Sequence, residues 1–211
     1  MKKSTILILG VIIISFALSA YLYPRFPAQV ASHWNVKGEV DSYMSKFWGL
    51  FLFPIISVAL FLLFLFLPKI DPLKKNIEKF RKYYDWFIFV LILYLFYLYL
   101  LTIFWTFGFN FNMNQMLAPS FAVLFYAAGV LTENAKRNWF IGIRTPWTLS
   151  NEKVWDKTHK LGGRFFKASA IISLFGIILP DYLLWFVLVP VLVLSVYLVI
   201  YSYLEYQKIR K

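Results

Sequence analysis

The sequence contains no cysteine, so no disulfide, thiolate metal site or catalytic thiol is available to it. It is also short of charge. Asp, Glu, Lys and Arg make up 15% of its 211 residues, against about a quarter in soluble domains. Acid is scarcer still: 10 Asp and Glu stand against 22 Lys and Arg, a formal net charge of +12. No low-complexity linker, clear internal repeat or soluble domain interrupts the chain. What it holds in quantity is apolar surface, with 61% hydrophobic and 21% aromatic residues. This is not the composition of a soluble protein.

Uncharged runs set the class: Ser4 to Pro24, Phe47 to Pro68, Trp86 to Thr132, Ala168 to Pro180 and Tyr182 to Leu204. A membrane-spanning helix needs about 20 apolar residues. As one helix, the run from Trp86 would be about 70 Å long at about 1.5 Å per residue. That is more than twice the ~30 Å hydrocarbon core, so the run must fold back. The break is "GFNFNMNQ", Gly108 to Gln115. Residues 165–204 would likewise reach about 60 Å unbroken, and Pro180 with Asp181 marks their turn. The runs predict six spans at 5–23, 47–67, 86–107, 115–132, 165–179 and 182–204. The fold class is all-α, a polytopic membrane protein. The first span has the charged start of a signal peptide but a longer apolar run, and reads as an uncleaved anchor.

Charge predicts orientation. With six spans, nineteen of the basic residues fall on one side, and only Arg25, Lys37 and Lys46 on the other. The positive-inside rule then places both termini, the 69–85 connection and the 133–164 connection in the cytoplasm. The resulting organisation is a two-span unit (1–68) with an extracytoplasmic loop (24–46), a basic linker (69–85) and a four-span unit (86–211). The basic excess faces anionic lipid headgroups. Without a nucleic-acid module it does not imply direct nucleic-acid binding.

Two polar segments stand out. In the outer one, Pro24 and Pro27 stop the helix, and "QVASHWN" and "EVDSYM" flank "VKG" as a short hairpin turning at Gly38. Trp34 and Tyr43 supply rigid amphipathic surface and His33 a titratable group. The lid is read either as a ligand-binding cap or as aromatics at headgroup level. A metal at His33 lacks the paired helical ligands that metal enzymes use.

In the inner segment, Pro146 biases Thr145 away from helix. "TLSNEKVWDKTHK" reads as a short amphipathic helix on the inner face, with Ser150 as N-cap and Gly162–Gly163 as its end. Trp139, Trp147 and Trp155 would anchor it. Trp155 and His159 share one face. A structural clamp, a docking surface and an active site pairing His159 with Asp156 all remain open.

"NWFIGIRTPWTLSNEKVWDKTHKLGGRFF" (Asn138 to Phe166) resembles the signature of the SdpI family, named for an immunity protein against a secreted peptide toxin. "YPRFPAQVASHWNVKGEVDSYMSK" resembles the N-terminal domain commonly fused to it. Matching positions are Asn138, Gly142, Arg144, Thr145, Pro146, Trp147, Thr148, Trp155, His159 and Gly162 inside, and Pro27, His33, Asn35, Gly38 and Asp41 outside. The resemblance implies a multi-pass plasma-membrane protein, without enzymatic activity or cofactor, that protects against a secreted toxic peptide. It also implies signalling by holding a cytoplasmic transcriptional repressor at the membrane. The expected ligand site is His33, Trp34, Asn35, Asp41 and Tyr43. The expected docking site is Asn138, Arg144, Thr145, Pro146, Trp147, Trp155 and His159. The alternative is a membrane hydrolase using His159 and Asp156, or a metal at His33. A transporter is disfavoured because no acid or base lies mid-span.

Overall fold

The computed structural model describes residues 3–210; Lys2 and Lys211, part of the charge count above, lie outside them. The fold is all-α and polytopic, with one small hairpin. Helix α1 (Lys3–Leu22) leads to strands β1 (Gln29–Trp34) and β2 (Val40–Ser45). Then follow α2 (Lys46–Ile70), the short α3 (Lys74–Lys79), α4 (Arg81–Thr106) and α5 (Met113–Asn134). The chain closes with α6 (Pro146–Ser150), α7 (Glu152–Ser173) and α8 (Leu183–Arg210).

Among the described residues, five helical segments are long and apolar enough to cross a membrane: Lys3–Arg25, Lys46–Ile70, Arg81–Thr106, Met113–Asn134 and Pro180–Arg210. Their outer faces stay apolar, with Ile13, Leu62, Leu192 and Val196 exposed. A helix apolar all round belongs in lipid. The long run from Trp86 folds back where its polar break predicts. Asn112 caps α5 by accepting from the Gln115 N–H at 3.2 Å, and Gly108 takes a left-handed φ of +85°. Pro180 opens a single 3-10 turn, Pro180–Tyr182, before α8.

The expected fifth span differs from expectation. Among the described residues, the polar stretch does not form a separate amphipathic helix. Residues 152–173 form one helix, α7, whose first turns are the polar stretch and whose last turns are apolar, followed by a 3-10 turn at Leu174–Ile177. Gly162 and Gly163 do not end it. They are where α7 meets its neighbours: a Cβ at Gly163 would lie 2.7 Å from the Gly129 carbonyl oxygen of α5. Nor is Ser150 the N-cap of α7. Its hydroxyl donates to the Pro146 carbonyl at 2.7 Å within α6, and Asn151 caps α7 by accepting from the N–H groups of Lys153 and Val154. Pro146, at the first turn of α6, starts a helix of its own, so the cap shifts by one residue.

Packing forms two groups. Helices α1, α2 and α4 share a core that includes Ile8, Phe61, Tyr84 and Ile92. Ser19 joins all three, donating to the Leu50 carbonyl and sharing a hydrogen bond with the Tyr99 hydroxyl, each at 2.7 Å. Helices α5, α7 and α8 form the second group, and α4 against α5 joins the two. The Tyr97 hydroxyl donates across that seam to the Met116 carbonyl at 2.9 Å.

Candidate functional site

The two polar segments lie at opposite ends of α5, one before its start and one after its end. At the first end, β1 pairs antiparallel with β2, Val30 opposite Met44 and Ala31 opposite Tyr43, with a bulge around His33. Gly38 supplies the turn with a φ of +78°, a conformation that glycine adopts without steric cost. Val30 is buried against Gly49 of α2, where a Cβ would come within 2.9 Å. That contact seats the hairpin on the helices. Asn114 ties down its tip, donating from Nδ2 to the Val36 carbonyl at 2.8 Å.

The expected ligand residues are brought together here, in different settings. His33 Nδ1 and Asp41 Oδ1 meet at 2.5 Å across the strands, both exposed. Asn35 builds the turn, accepting through Oδ1 from the N–H groups of Lys37 and Glu39. Trp34 packs edge-on to Trp105 of α4 at 5.8 Å, and its Nε1 is buried without a hydrogen-bond partner. Tyr43 is 61% exposed. His33 has a single carboxylate neighbour, and no group of three His, Asp or Glu that could hold a metal occurs among the described residues.

At the other end, the seven expected docking residues divide. Asn138 is fully buried and organises the turn before α6. Its Oδ1 accepts from the N–H groups of Phe140 and Ile141, and its Nδ2 donates to the carbonyls of Lys136 and Ile141. Thr145 is the capping residue of α6 and shares a 3.0 Å hydrogen bond with Ser202 of α8. Trp155 and His159 are buried and stacked, ring centroids 3.8 Å apart. They do not sit at a membrane interface. Only Arg144 and Pro146 are exposed, with Trp147 half-buried edge-on to Tyr203 at 5.1 Å. Arg144 Nη1 donates to the Trp139 carbonyl at 2.8 Å.

His159 is a structural lock. Its Nδ1 donates to the Trp155 carbonyl at 2.8 Å, and its Nε2 accepts from the Ile143 N–H at 2.9 Å. That pair of bonds fixes the neutral tautomer with the proton on Nδ1. Burial pushes its pKa down to about 4, against smaller opposing effects of the Trp155 carbonyl and Asp156. Gly142, with a φ of +112°, lies directly over the imidazole, where any Cβ would collide with Nε2. The Asp156–His159 pair is not formed: Asp156 instead meets Lys136 at 3.3 Å. With both ring nitrogens taken by backbone, His159 has no free atom to act as a base.

Asp71 and Asn76, which pattern alone does not single out, join the basic linker to this loop. Asp71 is buried and accepts from the N–H groups of Leu73 and Trp139, at 2.6 and 2.9 Å. Asn76 donates to the Arg137 carbonyl at 2.9 Å. "DP" just past α2 was the available signal, an aspartate followed by proline at a helix end. Glu205 is buried on α8 and accepts from Lys157 of α7 at 2.6 Å and from Lys208 at 2.7 Å. The basic segments thus converge on one end of the bundle.

Residues 134–202 match the SdpI/YfhL protein family, and residues 10–58 match a domain of unknown function, DUF1648. The chain is similar to the immunity protein SdpI of Bacillus subtilis (strain 168), at 27% identity over 99% of this chain and 98% of that protein. No solved structure matches it. The match to the SdpI/YfhL family, the similarity to SdpI and the five apolar helical segments together make this a multi-pass plasma-membrane protein.

Proposed function

We propose that this chain, whose residues 134–202 match the SdpI/YfhL protein family, is a membrane immunity protein, protecting its cell from a secreted toxic peptide. The observation that carries this reading is the full-length similarity to an immunity protein, which spans both polar ends rather than one domain. The hairpin end, with His33, Trp34, Asn35, Asp41 and Tyr43, is the peptide-facing surface. The basic end faces the cytoplasm and its anionic headgroups. There, exposed Arg144 with Trp147 forms a contact for a cytoplasmic transcriptional repressor. Asn138, Thr145, Pro146, Trp155 and His159 hold that contact in shape.

Protection of a peptide-sensitive strain tests the outer half of this proposal. Trp34→Ala or Tyr43→Ala should lower the tolerated peptide dose about thirtyfold, the affinity equivalent of losing one anchor worth about 2 kcal/mol. Membrane abundance of both variants should stay normal. Full protection by both would remove the hairpin as the peptide-facing surface.

A further inference from the structure

A cleft of about 570 Å³ opens where α2 ends, between its last turns, α3 and the start of α4. Lys69, Lys74, Lys75 and Arg81 line it against one carboxylate, Glu78, and Leu65 gives it an apolar wall. Its shape is held by bonds outside it. Asp71 turns the chain out of α2 by accepting from the Leu73 and Trp139 N–H groups. The Tyr84 hydroxyl donates to the Phe64 carbonyl at 2.7 Å and so ties α4 to α2. Arg81 is already paired, with Asp85 at 2.6 Å and Glu78 at 3.4 Å. The three lysines are not. All are exposed, and none forms an ion pair among the described residues. Three like charges thus border one cleft whose carboxylate is engaged by Arg81, an arrangement that an anion between them relieves.

Position narrows the anion. The cleft lies at the end of Lys46–Ile70, a segment long and apolar enough to cross a membrane. Phe66 and Ile70, beside it on α2, are 55% and 45% exposed, so the lysines border an apolar outer surface. A free phosphate would meet the lysines and leave Leu65 unused. We propose that the cleft binds one anionic phospholipid, its phosphate among Lys69, Lys74 and Lys75 and its first acyl carbons along Leu65. Basic pockets at the ends of spanning helices hold such headgroups, and the volume falls within the range of about 300–1,000 Å³ typical of ligand sites. A zwitterionic lipid fits less well, because its own ammonium adds a further like charge. The inference rests on the basic end facing anionic headgroups, and it replaces a diffuse attraction with one site and three named residues.

The test is native mass spectrometry of the full chain, released from detergent micelles holding equal amounts of phosphatidylglycerol and phosphatidylcholine. The unaltered protein should retain one phosphatidylglycerol in preference to phosphatidylcholine. Lys69→Gln/Lys74→Gln/Lys75→Gln should weaken that retention at least about tenfold. Arg at the same three positions should keep it, since guanidinium also binds phosphate. Lys75→Glu alone, one exposed change that reverses a charge, should weaken it as well. The comparison is Lys153→Gln/Lys160→Gln/Arg164→Gln, which removes three exposed charges of α7 and should retain the lipid. Equal losses in the two glutamine triples, or no preference for the anionic lipid, overturn the site in favour of diffuse attraction. Displacement of the lipid by inorganic phosphate at matched concentration would make this a free-phosphate site, and displacement by hexaglutamate a site for an acidic peptide. Either result overturns the lipid. Micelles have no sidedness, so the outcome does not depend on orientation. If labelling in intact cells places Lys75 outside while the lipid is retained, the cytoplasmic placement falls and the cleft stands.

Discussion

His159 illustrates how one buried imidazole can govern a loop. Its Nε2 accepts from Ile143 and its ring stacks on Trp155, so the neutral form holds the turn before α6 against α7. An unfolded chain binds a proton near the ordinary pKa of 6.5, whereas the folded imidazole resists protonation until about 4. Between those values the unfolded state carries the extra proton, so acid favours unfolding. Stability should therefore fall as pH drops from 6.5 to about 4, by about 3 kcal/mol in all, and then level off with respect to this group. Thermal unfolding of the nanodisc-embedded protein at pH 7, 5.5 and 4.5 measures it. His159→Asn should start less stable and lose much of that slope; an unchanged slope would place the acid sensitivity elsewhere.

Arg144 lies at the same scale but outside the core. Its guanidinium donates to the Trp139 carbonyl, and the rest of its planar fork is free to meet a partner. Arg144→Lys keeps the charge that lipid requires and removes the fork. If the residue meets a repressor, Arg144→Lys should impair signalling with normal abundance and thermal stability. A silent Arg144→Lys together with a damaging Arg144→Gln would identify a lipid contact instead, read by a reporter gene under the repressor.

At the scale of elements, the decisive contact is α5 against α7. Gly129 and Gly163 face each other so closely that a Cβ at Gly129 would lie 2.8 Å from the Gly163 carbonyl oxygen. Close backbone approach of this kind is how small residues join helices in membranes, where lipid offers apolar contact of its own. One turn away on each helix, Glu133 and Lys167 form an ion pair across the same seam. Gly163→Ala should force the helices apart and cost about 1–3 kcal/mol, the usual range for overpacking. Gly10→Ala on α1 has open space within 4 Å and should not lower the melting temperature, since alanine suits a helix interior better than glycine. Equal melting temperatures for Gly163→Ala and the unaltered protein would show that the seam can relax.

For the molecule as a whole, the convergence of basic segments gives the charge asymmetry a three-dimensional meaning. Asp71, Asn76 and Glu205 tie the 69–85 linker, the 133–164 loop and the end of α8 into one basic face. Six crossings with both termini in the cytoplasm require the last turns of α7 and the 3-10 turn after it to cross, though they are shorter than the other five segments. The absence of cysteine makes labelling direct. In intact cells an impermeant maleimide should label Lys37→Cys and leave Lys75→Cys and Lys157→Cys unmodified until the membrane is opened. Labelling of either inner position would reverse the arrangement.

Uncharged runs and polar breaks were enough to locate the five long apolar segments, the fold-back at Gly108–Gln115, the hairpin turn at Gly38 and the turn at Pro180. These features follow from local chemistry, because lipid demands apolar length and turns demand particular residues. Tertiary structure alone decided the rest. A Gly-Gly pair reads the same whether it ends a helix or admits a neighbouring backbone, and only the presence of α5 beside α7 selects the second. Trp155 and His159 share a helix face in either account, but whether that face meets lipid, a partner or the core depends on Ile143 and Gly142 closing over it. Asp71 likewise gains its role from Trp139, 68 residues away. Periodicity describes one helix against an unspecified environment, and the identity of that environment is fixed by residues distant in the chain.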